Sequence, residues 1–298
     1  MKFEIKNHLK PCAAVSIAIM LIAIVMTLTG NGMNLGIDFT GGTIMTYNMG
    51  GEFDVNVINA ALTENGITNA QIAKTGEEGT QVQIRIADSE NTDELRTALE
   101  AKLSETYPEI EYVDITRVGA VAGRELINNA VKSVTIAAIL MLLYIAVRFD
   151  FYSGLAAVIG LLHDVAIMLS FVVIFSGLIR VETTFIAALL TIVGYSINNT
   201  IIIFDRIREN NRKAQIRSLK RDEIVNIAVK ESLSRTLNTT VTTLLTIVTL
   251  YILGVNSVKQ FALPLIVGIL AGTYSANMIN GYVWAALVEL KNKKKAKA

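Results

Sequence analysis

The segment Gly194–Asn210, GYSINNTIIIFDRIREN, carries polar side chains inside a long apolar run and then passes into a densely charged run. Tyr195, Asn198 and Asn199 recur, together with Thr191, at helical spacing, so we expect them to line one face of a helix. Amide side chains within hydrocarbon either bond across helices or serve a pathway, by coordinating an ion or holding water. The segment therefore predicts a membrane span with a polar face.

The composition of the whole chain is typical of an integral membrane protein. The 298 residues are 52% hydrophobic and only 18% charged, and a membrane helix needs about 20 mostly apolar residues. We expect the first apolar run to be a retained helix, because its exit lacks the small-residue pattern of a cleaved signal peptide. The predicted fold class is a polytopic α-helical membrane protein with six transmembrane helices, at 12–30, 129–147, 154–177, 183–204, 236–255 and 261–288.

Basic residues are concentrated in three segments that fall on one side of a six-span arrangement. These segments are the N-terminus 1–11, the loop 205–235 between the fourth and fifth spans, and the tail 291–298 with its five lysines. Basic residues in short loops favour the cytoplasmic side. Both termini are therefore expected in the cytoplasm, and the five-helix membrane domain is expected to cover 128–290.

One hydrophilic block, residues 31–127, separates the first and second spans and is expected on the external side. Its strands show alternating patterns, and its two helices are expected to begin after Asp54 and at Asn91 or Thr92. The resulting order, βαββαβ, predicts a ferredoxin-like external domain. The block has no cluster of histidine, cysteine or paired carboxylates, so we expect a binding or lever module.

Ionisable side chains also occur in or near two other spans. His163 and Asp164 lie in the third span, where ionisable groups are candidates for function. The pair either relays protons, since histidine titrates near neutrality, or holds helices together. Arg235 lies at the cytoplasmic mouth of the fifth span. It acts either as a fixed charge that attracts a carboxylate or as a snorkelling anchor.

Small residues recur every four positions in the sixth span, at Gly268, Gly272 and Ala276. Such spacing permits close helix contact, either with this chain's own helices or with a partner's. Asn280 continues the same face.

The sequence disfavours an intramembrane enzyme. A metalloprotease needs three ligands, whereas the only histidines are His8 and His163, and no His-Glu-x-x-His helix occurs. No base is suggested for a serine nucleophile. We predict no enzyme activity, no cofactor, no metal and no nucleic-acid partner.

Five motifs, in order along the chain, resemble the SecF family, the smaller of the paired SecD/SecF membrane subunits of bacterial protein export. The second motif begins VGA where the family usually has VGP. The motifs are LGIDFTGGT at 35–43, VGAVAGRELINNA at 118–130, LLHDV at 161–165, GYSINNTIIIFDRIREN at 194–210 and SLSRTLNTTVTTLL at 232–245.

The resemblance implies one half of an assembly related to exporters of the resistance–nodulation–division (RND) superfamily. It implies a complex with SecD in the bacterial cytoplasmic membrane, associated with the SecYEG channel and with YajC as a further candidate partner. Proton-motive force would then move the external domains, which pull unfolded preprotein outward late in translocation. The rival readings are half of an exporter of small molecules or lipids, and an assembly scaffold without energy coupling.

One position departs from the family pattern. The family usually has an aspartate where Asn199 stands, and the resemblance implies that this carboxylate serves proton passage opposite an arginine that matches Arg235. Three explanations remain: a carboxylate in the corresponding helix of SecD suffices, Asp164 or Asp205 substitutes, or the coupling ion is not a proton. We favour the first, because the family's pathway lies at the interface of the two subunits.

Two other parts of the family motifs are expected to have structural roles. Gly41 and Gly42 allow a backbone turn before the first strand, and Asp38 caps or pairs there. Asp205 and Arg206 belong to a charge network at the end of the fourth span. The basic loop after them either touches anionic lipid or SecY, or is simply solvated.

Overall fold

The computed structural model describes residues 9–67, 70–76, 79–86, 92–254 and 256–297. The chain divides into two compact units, one formed by Met1–Asn34 with Val131–Ala298 and the other by Leu35–Ala130. In chain order the elements are α1 (Leu9–Leu28), α2 (Ile37–Thr40), β1 (Gly42–Asn48), α3 (Val55–Glu64), β2 (Gln71–Thr75), β3 (Gln81–Ile86), α4 (Thr92–Ser104), β4 (Glu111–Val118), α5 (Ala120–Arg148), α6 (Phe151–Ile174), α7 (Thr184–Arg212), α8 (Ala214–Arg217), α9 (Arg221–Leu253), α10 (Asn256–Ser275), a π-helical turn (Ala276–Asn280) and α11 (Gly281–Lys297).

Six helical segments of the described chain are long and apolar enough to cross a membrane, as the sequence predicts. They are α1, α5, α6, α7, α9 and the run from α10 through the π turn into α11. About half of each of α6, α7 and the last run is buried within the chain, whereas α1, α5 and α9 are mostly exposed. The former helices therefore form the centre of the helical unit.

Residues 205–235, expected as a loop, are largely helical. α7 continues to Arg212, and α9 already begins at Arg221. The extensions are amphipathic, and they bury Ile207 on α7 and Val225 on α9 in the core of the unit. Charged side chains on their other faces hid this pattern, because a search for apolar runs ends at the first dense group of charges.

The sixth span is not one regular helix. Pro264 lies within α10, and the π-helical turn Ala276–Asn280 separates α10 from α11. A π turn adds a residue per turn, so it rotates the side chains that follow it relative to a regular helix. Asn277 and Asn280, both buried, lie in this turn.

The second unit contains a four-stranded sheet with the order β2-β3-β1-β4, in which all pairs are antiparallel. The central strand β1 places Met45 opposite Ile84 of β3 and Ile115 of β4. Burial alternates along β3, because one face of the sheet packs in a core with α3 and α4 while the other does not. The largest side chains of this core, all fully buried, are Met45, Tyr47, Ile58, Leu62, Ile84, Leu99 and Leu103.

Local sequence signals set the ends of these elements. Asp54 Oδ1 accepts a hydrogen bond from Asn56 N at 2.9 Å, so the predicted cap of α3 is confirmed. Gly66, after α3, has a φ of 80°, which favours glycine. The alternative cap at Asn91 lies outside the described residues.

Candidate functional site

A buried ionisable pair connects four helices of the helical unit. His163 Nδ1 lies 2.9 Å from Asp164 Oδ1, and His163 Nε2 lies 2.9 Å from Ser16 Oγ of α1. Ser196 Oγ of α7 and Ser275 Oγ of α10 both donate to Asp164 Oδ2, the latter at 2.8 Å. The pair on α6 is thereby bonded to α1, α7 and α10.

Asp164 is fully buried, and it is the only buried carboxylate among the described residues. An ionised carboxylate can only accept hydrogen bonds, so His163 Nδ1–H, Ser196 O–H and Ser275 O–H are its three donors. Any change of charge here therefore alters the hydrogen bonds of three other helices.

Asn199 belongs to a second buried network, between α7, α9 and α10. Its Nδ2 donates to Thr273 Oγ1 at 3.3 Å, and Thr273 Oγ1 lies 2.7 Å from Thr240 Oγ1. Tyr195 OH donates to Thr240 Oγ1 at 3.1 Å. Asn199 is fully buried, but its Oδ1 has no hydrogen-bond partner among the described residues. An unpaired buried acceptor costs about 1 to 3 kcal/mol, so this amide is held in place by packing and by the bond of its Nδ2.

The two adjacent asparagines face different surroundings. Asn199 is buried against α10, whereas Asn198 is exposed. A helix turns by about 100° per residue, so the single polar face expected for Tyr195, Asn198 and Asn199 is divided between the core and the surface. Arg235, on α9, is exposed too.

Glycines bring α10 into close contact with α7, and α6 into close contact with the π turn. A Cβ on Gly272 would lie 3.0 Å from Ser196 Cβ, and one on Gly268 would overlap Ile192. Likewise, a Cβ on Gly160 would overlap the amide of Asn280. The small residues of the sixth span therefore pack against this chain's own helices, one of the two alternatives that the sequence left open.

The predicted charge network at the end of α7 is present in part. Arg206 bonds to Glu209 at 2.7 Å and approaches Glu231 of α9 at 3.6 Å. Asp205 is exposed. The network connects α7 to α9 next to the short segment that joins them.

The glycine signature, the pair Gly41–Gly42 of the motif LGIDFTGGT, lies in the unit that contains the sheet. Gly41 and Gly42 have φ values of 76° and 142°, and a Cβ on Gly42 would lie 2.5 Å from Ile86 O. Asp38 lies in α2, whose backbone at Phe39 is so close to α5 that a Cβ on Gly123 would overlap it. At Gly42 and Gly123, therefore, the chain has no room for a side chain.

Sequence reasoning missed most partners of the two networks. It gave no role to Ser16, Ser196 or Ser275, because single serines in apolar helices usually bond to their own backbone. The available signal is spacing: Ser196 comes three residues before Asn199, and Ser275 two residues after Thr273. Among the described residues, no group of three or more histidine, cysteine or acidic side chains is arranged to hold a metal ion.

Two family models match this chain. Residues 98–290 match the model described as "Protein export membrane protein SecD/SecF, C-terminal". Residues 27–49 match the model described as "SecD/SecF GG Motif", and these include the glycine signature.

Curated relatives and a solved structure agree with these matches. "Protein translocase subunit SecF" of Haemophilus influenzae is 37% identical over 262 residues, which cover 88% of this chain and 78% of the relative. "Protein translocase subunit SecDF" of Thermus thermophilus is 37% identical over 299 residues, covering 97% of this chain but 39% of the relative. The crystal structure of SecDF from a Thermus species, described as a translocon-associated membrane protein, superposes with a TM-score of 0.80 at 34% identity, covering 98% of this chain and 39% of that one.

This chain thus spans less than half of the SecDF chains that it matches, and most of the separate SecF relative. The fused relatives place a SecF-like part and a SecD part in one polypeptide, which indicates SecD as a partner. With identity above 30% over most of its length, two matching family models and six candidate spans, the chain belongs to the SecF proteins of the SecD/SecF protein-export family.

Proposed function

We propose that this chain works with SecD as an ion-driven subunit of the Sec machinery, which promotes late preprotein translocation across the cytoplasmic membrane beside the SecYEG channel, without catalysing covalent chemistry. The observation that carries the proposal is the buried Asp164. Its hydrogen bonds connect α6 to α7 and α10 directly, and to α1 through His163. A group that gains or loses charge at this point biases four helices at once.

The energy available is sufficient for such a device. Moving one charge through 100 mV supplies about 2.3 kcal/mol. Two or three interhelical hydrogen bonds in a membrane are of the same magnitude, at about 0.6 to 1.7 kcal/mol each. One ion can therefore shift the balance between two packings of these helices.

We infer that SecD takes part in energy coupling by contacting the exposed Arg235. A guanidinium stays charged, and a charge in a span is unfavourable against lipid unless it is paired or reaches water. A carboxylate from a SecD helix would pair with it, and Asn198 faces outward as well. In this arrangement SecD supplies the titrating acid that Asn199 does not, and Asp164 relays the change within this chain.

We infer that the sheet unit is the external lever and that it is ferredoxin-like. Its strand order, its all-antiparallel pairing and the order βαββαβ support this inference. The basic segments at 1–11, 205–235 and 291–298 support cytoplasmic termini. YajC and unfolded preprotein remain proposed partners, on the resemblance alone.

Preprotein translocation into vesicles that hold the reconstituted SecD complex tests this function. We expect an imposed gradient to accelerate translocation in the wild type, and Arg235→Ala and Asp164→Asn to remove the acceleration. Arg212→Ala is the control, because Arg212 is also exposed but ends α7. Proton and sodium gradients are imposed separately to identify the ion. If neither gradient accelerates translocation, this chain has only a scaffold role.

Asn199→Asp tests the pathway role of this position. The substitution adds a carboxylate beside Thr273, where only an amide now lies. We expect translocation by the reconstituted complex to acquire a new or altered pH dependence. Activity that stays unchanged between about pH 5 and 9, the range over which titrating side chains at functional sites usually respond, would argue against a pathway role.

A further inference from the structure

One end of the helical unit carries a cleft whose polar groups take no part in the Asp164 network. The cleft lies where α5 ends at Arg148 and α6 begins at Phe151, beside the second half of α7. It consists of two recesses, and Arg208 of α7 lines both.

The first recess is an apolar groove that ends in two arginines. Its volume is about 610 Å³, and it is lined by Leu143, Tyr144, Val147, Arg148 and Arg208. The three uncharged side chains are each more than half exposed. Because α5 is long and apolar enough to cross a membrane, this exposed apolar groove has the character of a surface for an acyl chain.

The two guanidiniums gather on one aromatic ring without a carboxylate between them. Arg148 and Arg208 lie 5.4 and 5.8 Å from the centroid of Phe149. Arg208 Nη1 also donates to Arg148 O at 3.0 Å. Within the part of the chain that the structure describes, neither arginine forms an ion pair. Two like charges held so close together favour an anion between them.

The second recess supplies an unused hydrogen-bond donor. It has a volume of about 120 Å³ and is lined by Arg208, Asn211 and Trp284, among others. Trp284 is 6% exposed, and its Nε1–H has no acceptor in the described structure. A buried indole N–H normally has a partner. An oxygen of a ligand in the recess would provide one.

The one carboxylate that lines the cleft is already engaged. Asp150 Oδ1 accepts from Tyr152 N and Ser153 N at 2.9 and 3.0 Å, and Asp150 Oδ2 accepts from Ser153 Oγ at 2.5 Å. Asp150 therefore caps α6, and within the described residues it forms no ion pair with either arginine.

We propose that this cleft binds one anionic phospholipid, with its phosphate between Arg148 and Arg208 and an acyl chain in the groove along Leu143 and Val147. The guanidinium fork matches phosphate oxygens, and aromatic side chains are typical of the membrane interface. The two arginines outnumber the single carboxylate that lines the cleft, so an anionic headgroup is preferred to a zwitterionic one.

Quenching of tryptophan fluorescence by brominated lipid tests the proposal on the full chain. Trp284 is the only tryptophan of the chain, and it lines the cleft. The chain is reconstituted in phosphatidylcholine vesicles that contain either dibrominated phosphatidylglycerol or dibrominated phosphatidylcholine at the same mole fraction. We expect the phosphatidylglycerol to be preferred by about fivefold or more, since one basic residue at an anionic surface contributes about that factor.

Arg148→Gln and Arg208→Gln should each lower the preference, and the double variant should bring it to about one, in line with the same factor per charge. Arg148 is exposed, so its single variant keeps the fold, which circular dichroism verifies. The matched control is Arg212→Gln, which removes the same charge from the end of α7 outside the cleft. It should leave the preference within about twofold, because Arg212 lines neither recess and acts on a bound headgroup only through screening solvent.

Four results would overturn the proposal. The wild type could show no preference, or Arg212→Gln could lower the preference as much as Arg208→Gln does, which would indicate general surface charge. An excess of inorganic phosphate could abolish the preference, which would indicate a site for soluble anions. Quenching could also disappear when a tryptophan-free SecD is assembled with the chain, which would indicate that a protein covers the cleft.

Discussion

The contribution of the hydrogen bond from Ser275 to Asp164 can be measured against that of Ser170, a buried serine that bonds only to its own helix. Ser275 Oγ donates to the buried carboxylate at 2.8 Å. Ser170, on the same helix as Asp164, is 7% exposed, and its Oγ donates at 2.7 Å to Ala166 O of its own helix. Serine to alanine removes the same atom at both positions, so the difference between the two variants reports the carboxylate.

The expected magnitudes differ clearly. A hydrogen bond to a charged group contributes about 1.5 to 3 kcal/mol, and interhelical bonds in membranes reach about 1.7 kcal/mol. We therefore expect Ser275→Ala to lower the free energy of unfolding by about 1 to 2 kcal/mol. Ser170→Ala should cost less than about 0.5 kcal/mol, because a serine bonded back to its own helix adds little or nothing to its stability.

Thermal unfolding in detergent, followed by the fluorescence of Trp284, measures this difference, because Trp284 lies in the core of the helical unit. At about 2 to 4 °C per kcal/mol, Ser275→Ala should lower the midpoint by about 2 to 8 °C, while Ser170→Ala should change it by less than about 2 °C. Equal shifts would refute the reasoning, since they would mean that the bond to Asp164 contributes no more than a bond to the helix's own backbone.

Three further predictions concern packing, pH and capping. Gly272→Leu should destabilise the helical unit by at least about 1 to 3 kcal/mol, because the new side chain would meet Ser196. Gly194→Leu, at an exposed site with nothing within 4 Å, should not. The thermal midpoints of the two variants in detergent measure this difference. Burial raises the pKa of the Tyr47 phenol above its ordinary value. The stability that the neutral phenol contributes is therefore present below about pH 10 and is lost as the pH rises further. Chemical denaturation of the full chain should show this alkaline loss in the wild type and not in Tyr47→Phe. Asp54→Ala should destabilise the sheet unit by about 1 kcal/mol, because it removes the cap on Asn56 N. The rate of hydrogen exchange in α3 should rise in this variant. Asn59→Ala, within the helix, should leave that rate unchanged.

Local sequence patterns predicted the elements well where one physical signal dominates. The six spans follow from apolar length, and Asp54 and Gly66 mark the two ends of α3. The patterns predicted less where two signals overlap. The helical extensions between Phe204 and Arg235 combine charges with buried apolar residues, so an apolar search ends too early.

The site was predictable in its ionisable members and in Asn199, but not in its serines. His163 and Asp164 stand out, because charged groups are rare in apolar helices. Their partners Ser16, Ser196 and Ser275 come from positions that are far apart in the chain, and a serine carries no mark of which helix it will meet. Only packing decides that choice.

The sequence alone determined the membrane class and the order of spans and sheet elements, because these depend on local composition and spacing. The tertiary structure decided that Asn199 points into this chain while Asn198 and Arg235 point outward. Adjacent residues on a helix differ in direction by about 100°, and only the neighbouring helices determine which direction is the core. Asn199 thus lies within this chain's own core, whereas Arg235 is exposed on the surface of the helical unit.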